Sequence, residues 1–137
     1  PVHREQPLGD GKKLIRLACW ESEWPNRNIK CAACGGRKES DAFIRKKRGC
    51  DEPLQDPRQH HVVRRGNLEP LKVSSCPRKL IRSVSHYFNV YNWAQKGLLH
   101  FQYEPGDFPA KYADAIDVID YELDEKHRIL SEAKNKE

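Results

Sequence analysis

Residues 31–36 read Cys-Ala-Ala-Cys-Gly-Gly, and two further cysteines follow at Cys50 and Cys76, giving the spacing C-x2-C-x15-C-x25-C. Two thiolates separated by two residues hold one tetrahedral ion from a tight turn, and two thiolates from distant loops complete a closed shell. A closed shell leaves no position for water or substrate, so its role is structural. The sequence therefore predicts one structural Zn²⁺ per chain, with four ligands: Cys31, Cys34, Cys50 and Cys76.

The cysteine count favours a metal over disulfides. Five cysteines cannot all pair within one chain, and a C-x-x-C motif without a signal-peptide sequence is typical of a metal site. A redox C-x-x-C begins a helix after a buried strand. Here Gly35 and Gly36 follow Cys34, which favours a turn whose N–H groups face the sulfurs. No apolar run is long enough to span a bilayer, so we expect no membrane association and a cytosolic compartment or an assembly formed there.

Three other side chains compete for the metal. His60 or His61 would replace one cysteine in a shell of three cysteines and one histidine. Cys19 lies in an apolar segment and is expected to be a buried free thiol. It becomes a ligand only if Cys50 or Cys76 is not one.

Composition predicts a small core and an uneven charge distribution. The chain has 137 residues, of which 37% are apolar and 33% charged. We predict an extended arm at 1–11, a zinc-binding basic module at 12–77, and a two-helix region with an acidic C-terminal tail at 78–137. Residues 1–82 carry nine more basic than acidic residues, whereas residues 83–137 carry four more acidic than basic residues. Such a chain is suited to binding a polyanion, or copies of itself head to tail.

The N-terminal half has weak signals for short strands. Residues 12–20 are predicted to form a strand, and a second short strand is predicted near 60–64 within an otherwise irregular, proline-rich stretch at 51–77. Trp20 is the last residue of the segment 12–20, and Trp24 follows it four residues later. Both are interpreted as lids on the core.

The C-terminal half has a helical pattern. Apolar residues spaced by one and three predict a helix at about 78–96 that ends at Gly97, followed by a short extended piece. A second helix starts near Pro109, and its last seven residues are expected to fray. Its predicted apolar face comprises Ile116, Ile119, Leu123 and Leu130. The fold class is therefore α+β, a small zinc-stapled domain with an irregular knuckle region and short strands, followed by two packed helices.

Four consecutive cations precede Gly49 and Cys50. They are Arg45, Lys46, Lys47 and Arg48. At the tip of a metal finger they would contact phosphates, which is the basis of an alternative function as a nucleic-acid-binding zinc protein. The other interpretation is a solvated hairpin end.

The sequence around His60 and His61 loosely resembles an HNH nuclease, in which histidines activate water and hold a catalytic metal. The resemblance fails at two positions: Lys72 stands where a cysteine is expected, and Pro77 stands where a histidine is expected. No Ser-His-Asp set and no phosphate-binding glycine loop occur in the sequence. We therefore predict that the chain is not an enzyme, with an HNH-like endonuclease as the less favoured alternative.

A second resemblance covers about residues 31–123. It is carried by the C-x2-C knuckle, Gly49-Cys50, Cys76-Pro77 before a helix rich in Tyr and Phe, Gly-Leu-Leu at 97–99, and Ala-Ile-Asp-Val-Ile at 115–119. In this order of features the chain resembles small cysteine-rich proteins encoded among the tail genes of long-tailed bacteriophages. The resemblance implies a non-enzymatic role in the virion or in tail assembly. It also implies oligomeric contacts with other virion or tail proteins, zinc ligation by the four cysteines, and a location in the virion or in the host cytoplasm during assembly.

Overall fold

Six α-helices and one antiparallel two-stranded sheet form the part of the chain that the computed structural model describes, residues 10–25, 39–104 and 106–135. The elements in chain order are α1 (Asp10–Cys19), α2 (Glu39–Arg48), β1 (His61–Arg65), β2 (Leu68–Val73), α3 (Pro77–Arg82), α4 (Ser85–Gln95), α5 (Leu99–Gln102) and α6 (Ala110–Asn135). Single 3-10 turns occupy Glu21–Glu23 and Pro57–Gln59. This mixture of helix and sheet agrees with the predicted α+β class.

One hydrophobic core joins the two halves of the chain. Ile15 of α1, Val63 of β1, Leu71 of β2 and Ile119 of α6 are buried in a single cluster. Helix α1 packs against both α6 and α3, and α4 also packs on α6. The segments predicted as a basic module and as a two-helix region therefore share their buried side chains.

Helix α1 replaces the strand predicted at 12–20, and that prediction was wrong. Ile15, Leu17 and Cys19 are all buried, which is the alternating pattern of a strand. In a helix Ile15 and Cys19 lie on one side and Leu17 points nearly opposite to them, so both sides must be covered. Helices α6 and α3 both pack against α1. The predicted arm lies outside the described residues except for its last two positions, which begin α1.

The hairpin confirms one predicted strand and adds another. β1 matches the strand predicted near 60–64, and β2 runs through the stretch predicted to be irregular. β2 contains Pro70, a residue that sheets accept at an edge, and both strands of a two-stranded sheet are edges. Gly66 in the connecting turn has φ +59° and lies against the side chain of Ile129 in α6.

The helix predicted at 78–96 is divided into two. Helix α3 ends at Arg82 and α4 begins after Val84, whose side chain is buried at the junction. Gly97 has φ +70° and donates its N–H to Ala94, which confirms the predicted C-terminal stop. The piece predicted to be extended after it is the short helix α5.

Helix α6 begins directly after Pro109, as predicted, but continues through Asn135 instead of fraying earlier. Its buried positions are Ala115, Ile119, Glu122 and Ile129. The predicted apolar face shares only Ile119 with this set, and Leu130 is 40% exposed. The buried face is therefore rotated relative to the prediction, and it includes a carboxylate.

Candidate metal centre

Cys50 and Cys76, two of the four predicted ligands, occupy adjacent backbone segments. The N–H of Cys76 donates to the carbonyl of Gly49 at 3.3 Å, and the N–H of Cys50 donates to Arg45 at the end of α2 at 3.0 Å. Cys76 is 6% exposed and Cys50 is half-buried. The fold thus brings the end of α2 and the start of α3 together at these two cysteines.

Gly49 permits this close approach. Its φ is +70°, and a Cβ built on it would lie 2.6 Å from the carbonyl oxygen of Ser74 and 3.2 Å from the Cα of Ser75. Real Cβ atoms do not approach backbone atoms so closely, so a side chain here would force the segment before Cys76 away from α2. Because Gly49 lacks a Cβ, the two cysteine-bearing segments can touch.

Cys76 is the residue that precedes α3, and its side chain makes no capping hydrogen bond. Pro77 follows at the first helical position, where its fixed φ suits the helix and its missing N–H costs nothing. One turn later, the Lys79 ammonium donates to the carbonyl of Cys50 at 2.7 Å. Four thiolates around Zn²⁺ leave a net charge near −2, and a cation held beside the cysteines offsets part of it.

Cys31 and Cys34 lie outside the described residues. Within the described ranges no group of three or more His, Cys, Asp or Glu side chains is arranged to hold a metal. A four-cysteine site is not expected there, because only half of its ligands fall within those ranges. The predicted ligand set stays a prediction.

Both histidines that compete as ligands hydrogen-bond to main-chain carbonyls. His61 donates from Nε2 to the carbonyl of Arg48 at 2.7 Å, and His60 donates to Leu54 at 3.1 Å. The edge of the Trp24 ring packs against His61 with the centroids 5.8 Å apart. Metal-bound histidines commonly use their second nitrogen in this way, and half-buried structural histidines do the same. His61 is hydrogen-bonded to Arg48, the residue before Gly49, but within the described ranges it does not form a metal-holding group with Cys50 and Cys76.

Cys19 is a buried thiol, as predicted, and lies at the contact between α1 and α6. Burial raises the pKa of the Cys19 thiol to about 12, and the nearby Glu122 carboxylate adds to the shift. The thiolate is the form that binds metals, so this environment disfavours Cys19 as a ligand. The Lys126 ammonium donates to the Cys19 carbonyl at 3.1 Å and joins the two helices.

The basic cluster forms the last turn of α2, not a hairpin end. Cations at a helix C-terminus interact favourably with the helix dipole, which gives this sequence a local structural role. Arg45 pairs with Asp51 at 3.0 Å, and Arg48 is half-buried with its carbonyl bound by His61. Lys46 and Lys47 are exposed, so the outward charge of the cluster comes chiefly from these two.

Sequence reasoning missed the buried carboxylate of Glu122, which is fully inaccessible. Trp20 Nε1 donates to Oε2 at 2.8 Å, and Arg65 Nη2 donates to both oxygens at 2.7 and 3.0 Å. Arg16 Nε lies 3.0 Å from Oε1 as an ion pair without hydrogen-bond geometry. This network joins α1, the hairpin and α6. A signal existed in the sequence, because Glu122 falls three residues after Ile119, on the buried stripe of α6.

Comparisons with models of protein families, with curated proteins and with solved structures found no match. None of the helices in the described ranges combines the length and the apolar character that a membrane crossing requires. The functional argument therefore rests on the residues of this chain.

Proposed function

We propose that this chain is a non-enzymatic structural or assembly protein of a bacteriophage virion or tail, with one structural Zn²⁺ bound by Cys31, Cys34, Cys50 and Cys76. The observation that carries the zinc proposal is the hydrogen bond between Cys76 and Gly49, which holds two of these cysteines on adjacent segments. The bacteriophage role is supported by the resemblance over residues 31–123.

The zinc would cross-link three segments that are far apart in the sequence. Cys50 follows α2, Cys76 precedes α3, and the C-x2-C pair lies between α1 and α2 in sequence. Structural zinc contributes folding free energy on the order of 10 kcal/mol. A domain with 37% apolar residues benefits from such a cross-link.

The environment of the candidate acid–base groups supports a non-enzymatic role. Glu122 is buried between Trp20 and Arg65, where a substrate does not reach it. The Nε2 atoms of His60 and His61 both donate to main-chain carbonyls. Four thiolate ligands would also leave the zinc without an open position for water.

Exposed apolar side chains support contacts with other proteins. Phe101 is 72% exposed, Tyr121 is 57% exposed and Leu98 is 37% exposed. The exposed face of α6 also carries Asp117 and Asp120. Aromatic side chains of this kind dominate the energetics of protein interfaces, and acidic residues favour a basic partner surface.

Sedimentation and particle analysis test the assembly role. The metal-loaded chain is expected to sediment as an oligomer or to copurify with phage particles or tails, and Phe101→Ser should weaken that association. Phe43→Ser is the matched control, since Phe43 is equally exposed at 72% but lies on α2. A strictly monomeric chain that is absent from purified particles contradicts the proposal.

Plasmid nicking tests the nuclease alternative. With added Mg²⁺ or Mn²⁺ the chain is expected to leave supercoiled plasmid intact. Nicking that disappears in His61→Ala would replace the proposal with an HNH-like activity.

A further inference from the structure

Helix α2 presents an aromatic ring and two cations on one exposed face. Phe43 is 72% exposed. Lys46 and Lys47 follow it by three and four residues, which places all three side chains together on the helix surface. Exposure of a phenyl ring to this extent contributes nothing to the core, so the ring is available to a ligand.

A groove of about 790 Å³ runs beside this face. Phe43, Lys46 and Lys47 line one side, and Pro53 and Leu54 contribute apolar surface to the lining. Sites for small organic ligands have volumes of roughly 300 to 1,000 Å³, so the groove has room for a nucleotide.

Carboxylates on the groove are largely paired within the chain. Asp51 lies 3.0 Å from Arg45, and Asp56 lies 3.2 Å from Arg58. Hydrogen bonds from Arg58 lower the pKa of Asp56, which keeps it an acceptor at neutral pH. Glu52 is a third, exposed carboxylate on the groove. The lysines and the two paired arginines together exceed the three carboxylates by one charge, and the carboxylate oxygens remain hydrogen-bond acceptors.

We propose that this groove binds single-stranded nucleic acid, with one base stacked on Phe43 and the neighbouring phosphates on Lys46 and Lys47. An aromatic ring beside a positively charged track is the arrangement by which proteins bind unpaired strands, because every base has a face to stack and every linkage a charge. Base amino groups also supply donors for the carboxylates of Asp51 and Glu52. An acidic polypeptide matches the lysines but has no base to stack on Phe43 and no amino groups like those of the bases to donate to those carboxylates, so nucleic acid is the better match.

The site goes beyond the proposed virion role and can be tested separately from it. The probe is a fluorescent 20-nucleotide single-stranded DNA, titrated with the full chain as purified and followed by anisotropy at several salt concentrations. Phe43→Ala should weaken binding on the order of tenfold, the contribution of one stacked base, and Phe43→Trp should retain it. Lys46→Gln with Lys47→Gln should reduce the slope of log affinity against log salt by about 1.4, since each single-strand phosphate contact contributes about 0.7.

Matched controls separate this groove from general surface effects. Phe101→Ala removes a ring of the same 72% exposure, and Lys134→Gln removes an exposed cation on α6; neither should change binding. The duplex form of the same DNA should bind more weakly, because its bases cannot stack on the ring. Equal binding of the duplex, equal loss in Phe101→Ala, or competition by poly-glutamate that matches the oligonucleotide would each overturn the proposal. Poly-glutamate competition would assign the groove to acidic polypeptides instead.

Discussion

Gly49→Ala should loosen the contact that holds Cys50 beside Cys76. The new Cβ would lie 2.6 Å from the carbonyl oxygen of Ser74, a backbone atom that cannot rotate away. Gly97→Ala is the matched control, because Gly97 has the same φ of +70° but no atom within 4 Å of an added Cβ. The two variants share the conformational strain, and only the first one adds a steric clash.

The magnitudes follow from these two terms. An alanine held at positive φ costs about 1–2 kcal/mol, which both variants lose from the free energy of unfolding. Forcing an extra methyl into a packed site costs a further 1–3 kcal/mol or so, which only Gly49→Ala should lose. If about 1.4 kcal/mol of that strain acts on the zinc-bound state, Gly49→Ala should bind Zn²⁺ roughly tenfold more weakly.

Urea unfolding and competition with a zinc chelator measure both effects. Gly49→Ala should unfold at a lower urea concentration than Gly97→Ala and should release zinc at a lower chelator concentration. Equal destabilisation by the two substitutions would refute the argument from crowding. Lower stability in Gly49→Ala with unchanged zinc affinity would refute the link between this glycine and the metal.

Three further predictions concern the core. Glu122→Ala should lower the free energy of unfolding by about 3–5 kcal/mol, because it leaves Arg65 buried without its partner. In the same urea titration Glu132→Ala, which removes a 58% exposed carboxylate of α6, should lower it by less than about 1 kcal/mol. Cys19 should make the protein alkali-sensitive: its pKa rises from 9.0 to about 12 on folding, so the unfolded thiol ionises first and stability is lost between these values. Between pH 9 and 11 the free energy of unfolding should fall with pH more steeply for the wild type than for Cys19→Ala, by about 1.4 kcal/mol per pH unit, and parallel pH dependences would contradict this. Gly66→Ala should cost about 2 kcal/mol or more in thermal unfolding, since it combines positive φ with a clash against α6, and a stability equal to the wild type would show that the hairpin turn does not touch this helix.

Elements that depend on a local sequence signal could be predicted from the sequence. The strand near 60–64, the stop at Gly97 and the start of α6 after Pro109 all correspond to the observed elements. Each depends on a local signal, such as a positive-φ glycine or a proline at a helix start, that tertiary packing does not reverse.

Elements whose burial depends on distant partners could not be predicted. Helix α1 has the alternating burial of a strand and packs against both α3 and α6, and the sequence of 12–20 does not contain those partners. In α6, Glu122 occupies a buried position because Arg65 and Trp20 reach it from other elements. A carboxylate on the apolar face of a helix indicates a buried hydrogen-bonding partner only if the sequence analysis has identified that buried face correctly.

The candidate site was predictable in part. Spacing alone selected Cys50 and Cys76, and the fold places their backbones together. The groove beside Phe43 was not predictable, because residues 45–48 were expected at a finger tip or a hairpin end and not in a helix, and residues 51–56 and 59 complete the lining. Among the four cations of the basic cluster, Lys46 and Lys47 are exposed and their neighbours are half-buried. This difference depends on the helix, which was not predicted.

Elemental analysis of zinc in cysteine variants tests the central claim most directly. The purified chain and Cys19→Ser should each contain one zinc per chain, whereas Cys34→Ser and Cys76→Ser should lose the metal together with cooperative unfolding. The result for Cys19→Ser follows from the burial and raised pKa of that thiol, and the results for the other two variants follow from the four-cysteine shell. A chain without zinc, or one that retains it in both Cys34→Ser and Cys76→Ser, would contradict the account.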